Sequence, residues 1–258
     1  MEAGFRRPND FCWINVMTPD VPRARAFFGA LLGWEYGEMP GVPGGQLVLV
    51  GDRTAGAMLD LEGGAFPPGM PPAIGVLVRV EDADAAAAKA RSLGARVDDP
   101  MDVLENGRMA ICTDPTGAIV GLWQARAQKG MDVDARTPGA PGWFDLLTHD
   151  LDRAVDFYTA LFGWTVEERS PAPGATYRLF KLDGRPVAGA VPMGDKAKGI
   201  PSNWSVSFTV RDADEAVARA RELGGEICIP VGEVPGVGRW AMLKSPQGVA
   251  FHVTEWRT

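Results

Sequence analysis

Residues 150–164 are Asp-Leu-Asp-Arg-Ala-Val-Asp-Phe-Tyr-Thr-Ala-Leu-Phe-Gly-Trp, and residues 20–34 are Asp-Val-Pro-Arg-Ala-Arg-Ala-Phe-Phe-Gly-Ala-Leu-Leu-Gly-Trp. The two stretches lie 130 positions apart and belong to a longer repeat, in which 11–34 matches 141–164. In each stretch an aspartate that can cap a helix precedes apolar residues at helical spacing, and a glycine follows where the helix would end. The sequence therefore predicts two homologous halves, each of which begins with a strand and this helix.

The repeat continues through both halves. Asp-Ala-Asp at 82–84 matches Asp-Ala-Asp at 212–214, and later Pro-x-Gly turns also correspond. Between the halves lies a polar segment rich in glycine and proline, which is typical of a linker. We predict a first domain over 1–124, a linker over 125–142 and a second domain over 143–258. Each domain contains two units of strand, helix and three strands, which is an α+β fold.

Composition excludes several classes of protein. The chain has 258 residues, of which 46% are hydrophobic and 23% charged, as expected for globular domains. A net charge of −7 without a basic cluster argues against a nucleic-acid partner. The three cysteines show no CxxC spacing, which favours a reducing, cytoplasmic location. No run of about 18 apolar residues occurs, so we expect neither a membrane span nor export.

Residues 150–164, together with Ser-Pro-Gln-Gly-Val-Ala-Phe at 245–251, resemble the vicinal oxygen chelate superfamily. This superfamily contains glyoxalase I, extradiol dioxygenases, fosfomycin-resistance enzymes and bleomycin-binding proteins. The resemblance covers both halves and implies tandem glyoxalase-like domains, in which each pair of βαβββ units forms a cupped, partly open sheet around a cavity. It also implies that the chain corresponds to a fused homodimer of single-copy members, which leaves monomer and homodimer both open.

The resemblance also bears on metal binding. Metal-dependent members place a His on the first strand, a His or Gln on the fifth and a Glu on the eighth. The corresponding positions here are Trp13, Gly75 and Gly121 in the first half and Trp143, Ser205 and His252 in the second half. Indole cannot bind a metal, so we predict neither a metal nor another cofactor. The best atypical ligand set would be Asp145 with His252, joined by Glu255 if the strand register shifts.

Alternation along the strands predicts which side chains line the cavities. Trp13, Trp123 and Trp143 fall on the cavity side, and Asn15 and Met17 lie beside the first of them. Indole rings offer a flat apolar wall for a planar or aromatic ligand. The alternative is that these rings simply fill the cavities.

Further candidates are polar. Arg108 and Arg239 recur at equivalent positions and could bind an anionic ligand group, although surface ion pairs are the alternative. Ser205 is also predicted to contact the ligand, and Tyr177, Gln46 and Trp204 are weaker candidates.

Three functions are compatible with these sequence features. The first is metal-independent binding or sequestration of a small planar or aromatic metabolite, similar to that of bleomycin-resistance proteins, with no macromolecular partner other than a second copy. The second is a metal-free lyase, isomerase or cyclase in which Asp145 orients His252 as the catalytic acid and base. The third is a metal-dependent glyoxalase or dioxygenase with atypical ligands.

Overall fold

Each half of the sequence contributes one β-sheet and two helices. The structure is a computed structural model that describes residues 7–39, 41, 42, 44–170, 174–194 and 197–257. The elements of the first half are β1 (Phe11–Thr18), α1 (Val21–Leu32), β2 (Glu35–Glu38), β3 (Gln46–Val50), β4 (Arg53–Asp60), β5 (Ala73–Val80), α2 (Ala83–Ser92), β6 (Arg96–Val97), β7 (Met101–Val103), β8 (Gly107–Thr113) and β9 (Ile119–Ala125). Those of the second half are β10 (Pro141–Thr148), α3 (Leu151–Phe162), β11 (Thr165–Arg169), β12 (Tyr177–Leu182), β13 (Arg185–Pro192), β14 (Asn203–Thr209), α4 (Ala213–Glu222), β15 (Glu226–Val234), β16 (Gly238–Lys244) and β17 (Ala250–Trp256).

The two sheets share one topology. The first has the strand order β2-β3-β4-β1-β5-β9-β8-β6, with β7 paired to β8, and the second has the order β11-β12-β13-β10-β14-β17-β16-β15. The first strand of each βαβββ motif pairs in parallel with the last strand of the same motif, as β10 does with β13. Both sheets are open and each half contains two βαβββ motifs, so the predicted tandem α+β fold is confirmed. In the part of the chain that the structure describes, no helix has the length and apolar character needed to cross a membrane.

The helix boundaries follow the capping signals of the sequence. The Asp20 carboxylate accepts a hydrogen bond from the backbone N–H of Arg23 at 3.1 Å, and α1 ends at Gly33, whose φ of 70° is in the left-handed region. Helix α3 has the same caps at the equivalent positions. Helix α2 is capped by Asp82, whose side chain accepts a hydrogen bond from the backbone N–H of Ala85.

The strand segment after α2 is divided in the first half. β6 ends at Val97 and β7 begins at Met101. Both short strands pair with β8. The interruption falls at Pro100, which has no N–H to donate to the sheet.

Contacts between residues divide the chain into two compact units. Unit I contains 7–13, Val76–Gly130 and Phe144–Trp204, and unit II contains Ile14–Gly75, Met131–Trp143 and 205–257. Unit I therefore joins most of the second and third βαβββ motifs, whereas unit II joins most of the first and fourth. Helix contacts follow the same division, since α2 packs on α3 and α1 packs on α4.

Aromatic side chains form the core of unit I. Phe11 stacks on Phe144 with ring centroids 4.1 Å apart, and Trp164 and Trp204 pack around the same rings. Tyr158 is fully buried among them, and its hydroxyl accepts a hydrogen bond from Trp204 Nε1 at 2.9 Å. Burial is the main cause that raises the pKa of Tyr158 well above its usual value.

Unit II has a comparable aromatic core, which includes part of the predicted linker. Phe28 stacks on Trp34 with centroids 5.0 Å apart. Trp34 Nε1 donates to the carbonyl of Gly139 at 2.7 Å, and Met131 and Val133 are buried. Residues 131–142 are thus an integral part of unit II.

The Tyr158 hydroxyl provides a test of the core. In the Tyr158→Phe variant the buried indole N–H of Trp204 loses its acceptor, which we expect to cost about 1–3 kcal/mol in the free energy of unfolding. Denaturant titration measures this loss. The matched control is Tyr36→Phe, because the Tyr36 hydroxyl makes a solvent-exposed hydrogen bond of 3.3 Å, and that change should alter stability by less than about 0.5 kcal/mol. Equal losses in the two variants would contradict the assignment.

Candidate functional site

A carboxyl and a phenol meet on one face of the second sheet. Asp145 lies on β10 and Tyr177 lies at the start of β12, and the Tyr177 hydroxyl donates to Asp145 Oδ1 at 2.8 Å. Both side chains are half-buried. They lie on the face of the sheet opposite to Phe144, which packs in the core of unit I. We call these two residues the Asp145–Tyr177 pair.

The pair depends on a glycine in the strand between them. Gly189 of β13 lies opposite Asp145 in the parallel register and opposite Leu179 in the antiparallel register. A Cβ at Gly189 would overlap both the Tyr177 hydroxyl and the Asp145 carboxylate. Only the absence of a side chain lets the two groups approach across the backbone of β13.

The first half does not repeat this arrangement. Asn15 takes the place of Asp145, and Ala57 takes the place of Gly189 opposite it. Tyr177 lies two residues before the β12 partner of Gly189. In the first half, the residue two positions before the β3 partner of Ala57 is Gly45. The pair is therefore a property of the second half alone.

Three charged residues lie on the same face next to Tyr177. In the antiparallel β11–β12 register, Arg169 lies opposite Tyr177 and Glu167 lies opposite Leu179. Glu167 accepts a hydrogen bond from Arg169 Nε at 2.8 Å and also binds Lys181 Nζ. The hydrogen bonds from Lys181 and then Arg169 hold the pKa of Glu167 below its usual value.

A second polar group lies in unit II. His252 of β17 is 8% exposed and lies edge-on to Trp240, with ring centroids 5.2 Å apart. Its ring nitrogens form no hydrogen bond with any residue that the structure describes. Burial lowers the pKa of His252 to about 4, so the imidazole is neutral near pH 7 and a weak base.

Hydroxyl groups accompany His252 on its face of the sheet. Ser207 is the register partner of His252, and its hydroxyl lies 2.6 Å from that of Thr254. Ser205, two residues earlier on β14, is also buried. The second half thus has a buried polar surface on β14 and β17.

The equivalent surface of the first half is apolar. Leu77 corresponds to Ser207, and its side chain packs over the bare backbone of Gly121, which corresponds to His252. The ring of Trp123 packs in the same way over Gly107. Trp123 is buried, and its Nε1 donates to the carbonyl of Gln128 at 3.2 Å. The predicted contact of Trp123 with a ligand stays a prediction.

The other predicted ligand residues have varied surroundings. Trp13 and Met17 are buried and Asn15 and Gln46 are half-buried, whereas Trp204 belongs to the core of unit I. Trp143 is half-buried and edge-on to Trp256. Their contacts with a ligand stay predictions.

Both predicted anion-binding arginines are engaged in ion pairs with helices. Arg108 Nε lies 2.7 Å from Asp84 Oδ2, and Arg239 Nη2 lies 2.6 Å from Asp214 Oδ2. Asp84 and Asp214 stand in the first turns of α2 and α4. These guanidinium groups link a strand to a helix in each half, and their contact with an anionic ligand stays a prediction.

The donor groups do not fit a metal site of three or four ligands. Among the residues that the structure describes, no cluster of three or more His, Cys, Asp or Glu side chains could hold a metal ion. At the positions that the resemblance marks in the second half, one imidazole and one hydroxyl accompany an indole. The predicted partnership of Asp145 with His252 stays a prediction, whereas Tyr177 does donate a hydrogen bond to Asp145.

Sequence reasoning underestimated Tyr177 and missed Gly189. Alternation assigns residues to a face of a strand, but it does not say which residues of neighbouring strands stand opposite each other. The role of Gly189 in bringing Tyr177 and Asp145 together can be recognised only when the register of β12 against β13 is known. That register contains an irregularity between Phe180 and Lys181, which no local sequence signal predicts.

Comparison with known proteins gives consistent results. The sequence model of the Glyoxalase/Bleomycin resistance protein/Dioxygenase superfamily matches residues 11–122 and 140–253. A Mycobacterium tuberculosis protein named "Putative glyoxylase CFP32" is 37% identical over 246 residues, which cover 93% of this chain and 92% of the relative. The anthracycline biosynthesis protein DnrV of Streptomyces peucetius is 33% identical over 266 residues, covering 97% and 94%.

A solved structure shares the fold. The Mn(II)-bound glyoxalase from Novosphingobium aromaticivorans superimposes with a TM-score of 0.66 at 15% identity, and the match covers 97% of this chain and 83% of that chain. At this identity the likeness concerns the fold alone.

The close approach at Gly189 can be tested by substitution. In Gly189→Ala the new methyl group displaces Tyr177 or Asp145, so we expect a loss of about 1–3 kcal/mol in the free energy of unfolding. Gly232→Ala on β15 is the matched control, because a Cβ there meets no atom within 4 Å. Denaturant unfolding of both variants measures the difference, and an unaffected Gly189→Ala protein would show that the pair does not need the glycine.

The pKa of His252 predicts a pH dependence of stability. Since the folded pKa of about 4 lies below the ordinary 6.5, the unfolded state binds more protons between these values. The contribution of neutral His252 to the free energy of unfolding is therefore fully present above about pH 6.5. It falls by about 3 kcal/mol as the pH drops toward 4. His252→Gln should remove this part of the acid loss, whereas His149→Gln should retain it. Unfolding titrations from pH 7 to 4 measure it, and identical pH profiles for wild type and His252→Gln would refute the assignment.

Proposed function

Because the chain belongs to the Glyoxalase/Bleomycin resistance protein/Dioxygenase superfamily, we propose that it binds a small planar or aromatic metabolite without a metal ion, and that its second half provides the binding surface. Binding of this kind resembles the sequestration performed by bleomycin-resistance proteins. The proposal assigns the first half a structural role.

One observation carries the proposal, namely the Asp145–Tyr177 pair above Gly189. A carboxylate has several acceptor positions, so it can receive a hydrogen bond from a ligand hydroxyl or N–H group as well as one from a tyrosine. The phenol ring supplies a flat apolar surface beside that acceptor. The bare backbone at Gly189 allows the carboxylate and the phenol to meet across β13. Together these features suit a planar ring that carries a hydroxyl group.

The chemistry of the second half favours binding over metal or base catalysis. Among the residues with described positions, the donor groups offer too few ligands for the metal sites of the superfamily. A general base works best when its pKa lies near the working pH, and the pKa of His252 is about 4. Near pH 7 the neutral imidazole is instead suited to give or accept a hydrogen bond.

A relative supports the class of ligand. DnrV is named for the biosynthesis of anthracyclines, which contain planar fused rings with phenolic hydroxyl groups. Its similarity extends over almost the whole of both chains. We therefore choose a hydroxylated anthraquinone as the first probe.

A metal-free enzyme is the second candidate, and the buried, unpartnered imidazole of His252 among the described residues is the observation that favours it. A buried histidine can transfer a proton to or from the substrate of a lyase or isomerase, and it can also form a hydrogen bond to the ligand of a binding protein. Chromatography of the recovered probe distinguishes the two candidates, because binding returns it unchanged and catalysis does not.

Titration of 1,8-dihydroxyanthraquinone with tryptophan fluorescence as the signal tests the proposal. We expect saturable binding that Asp145→Asn and Tyr177→Phe each weaken about tenfold, because a hydrogen bond to a charged group is lost or weakened. Asp156→Asn on the exposed face of α3 and Tyr36→Phe are the matched controls and should bind as the wild type does.

Two results would contradict the proposal. Binding that disappears after treatment with a chelator and returns with a transition metal would favour metal-dependent chemistry. Binding that is unaffected by Asp145→Asn and Tyr177→Phe would place the ligand elsewhere.

A further inference from the structure

We propose that Arg169 forms a subsite for a carboxylate on the ligand, so that the second half selects planar aromatic hydroxy acids. The inference rests on the proposed function, because it states which planar ligands the Asp145–Tyr177 surface would take. The proposed subsite is next to that pair, since Arg169 lies directly opposite Tyr177 in the β11–β12 register.

Arg169 is oriented by its neighbours. Its Nε donates to Glu167 Oε1 at 2.8 Å, and the other oxygen of Glu167 binds Lys181. The lowered pKa of Glu167 keeps this carboxylate charged down to acidic pH. A guanidinium that is held through Nε keeps a fixed direction, which reduces the entropy lost when it binds a ligand.

The outer edge of the guanidinium remains available. Within the described part of the chain, the two terminal nitrogens of Arg169 form no hydrogen bond or ion pair, and the side chain is 52% exposed. This edge carries parallel N–H donors that match the two oxygens of a carboxylate. Arg108 and Arg239 differ in this respect, because carboxylates of the helices already engage their terminal nitrogens.

The local charge favours an anion. Arg169 and Lys181 are two cations that share the single carboxylate of Glu167, which leaves one positive charge in excess in a chain whose net charge is −7. Asp145 lies on the other side of Tyr177 and would repel a carboxylate. A ligand with a hydroxyl group at one end and a carboxylate at the other would therefore bind in one orientation.

A matched pair of probes tests the subsite, namely 1,8-dihydroxyanthraquinone and its 3-carboxylic acid. For the wild type we expect the acid to bind about tenfold more tightly, a preference that weakens as salt concentration rises. In Arg169→Gln the ratio of the two Kd values should fall to about one. The matched control is Arg219→Gln, because Arg219 of α4 is an exposed arginine with a comparable ion pair to Glu222 at 3.0 Å. This control should keep the wild-type ratio.

The outcomes separate this inference from the proposed function. If the neutral probe binds and Arg169→Gln leaves the ratio of Kd values unchanged, Arg169 is a surface ion pair only, and the proposed function stands. If neither anthraquinone binds, the thermal stabilisation by 4-hydroxybenzoate and by 4-hydroxybenzamide decides. A rise in Tm that is specific to the anion and lost in Arg169→Gln supports the subsite, whereas no such rise overturns it.

Discussion

Burial of the aromatic rings beneath the sheets is the constraint on which the rest of the structure depends. Tyr158, Trp164 and Trp204 pack together in unit I, and Phe28, Trp34 and Phe251 do so in unit II. These residues come from helix ends and strand faces that the repeat supplies twice. Because this packing fixes the strands from the helix side, the residues on the opposite face can change without loss of the fold. The two halves have diverged on that opposite face.

The divergence has a clear direction. In the first half, Leu77 and Trp123 cover the bare backbone of Gly121 and Gly107. In the second half, hydroxyl groups and an imidazole take the equivalent positions on β14 and β17. A polar group that is buried without a partner costs stability, whereas an apolar side chain in the same place does not. The two halves therefore differ in the polarity of this buried face.

The sequence was sufficient to predict the fold, because its signals are local. The helix ends are marked by the capping residues Asp20 and Asp82 and by the glycines that follow α1 and α3. The internal repeat predicts the number of βαβββ motifs. The division between β6 and β7 at Pro100 is harder to predict, because proline is also tolerated at strand edges. For the site, residue chemistry pointed to Asp145 and His252. Gly189 and Arg169 matter through their cross-strand neighbours, and a pattern along one strand contains no information about those neighbours.

The composition of the compact units has a consequence for the order in which the chain can fold. Unit II joins residues 14–75 to 205–257, so at least 129 residues must be synthesised after the first segment before its packing partner exists. At usual rates of translation this delay is on the order of ten seconds. During that time the apolar faces of α1 and β1 have no partner from the fourth motif, and contacts of such long sequence separation also form slowly. Synthesis of the fourth motif therefore sets the earliest time at which unit II can form.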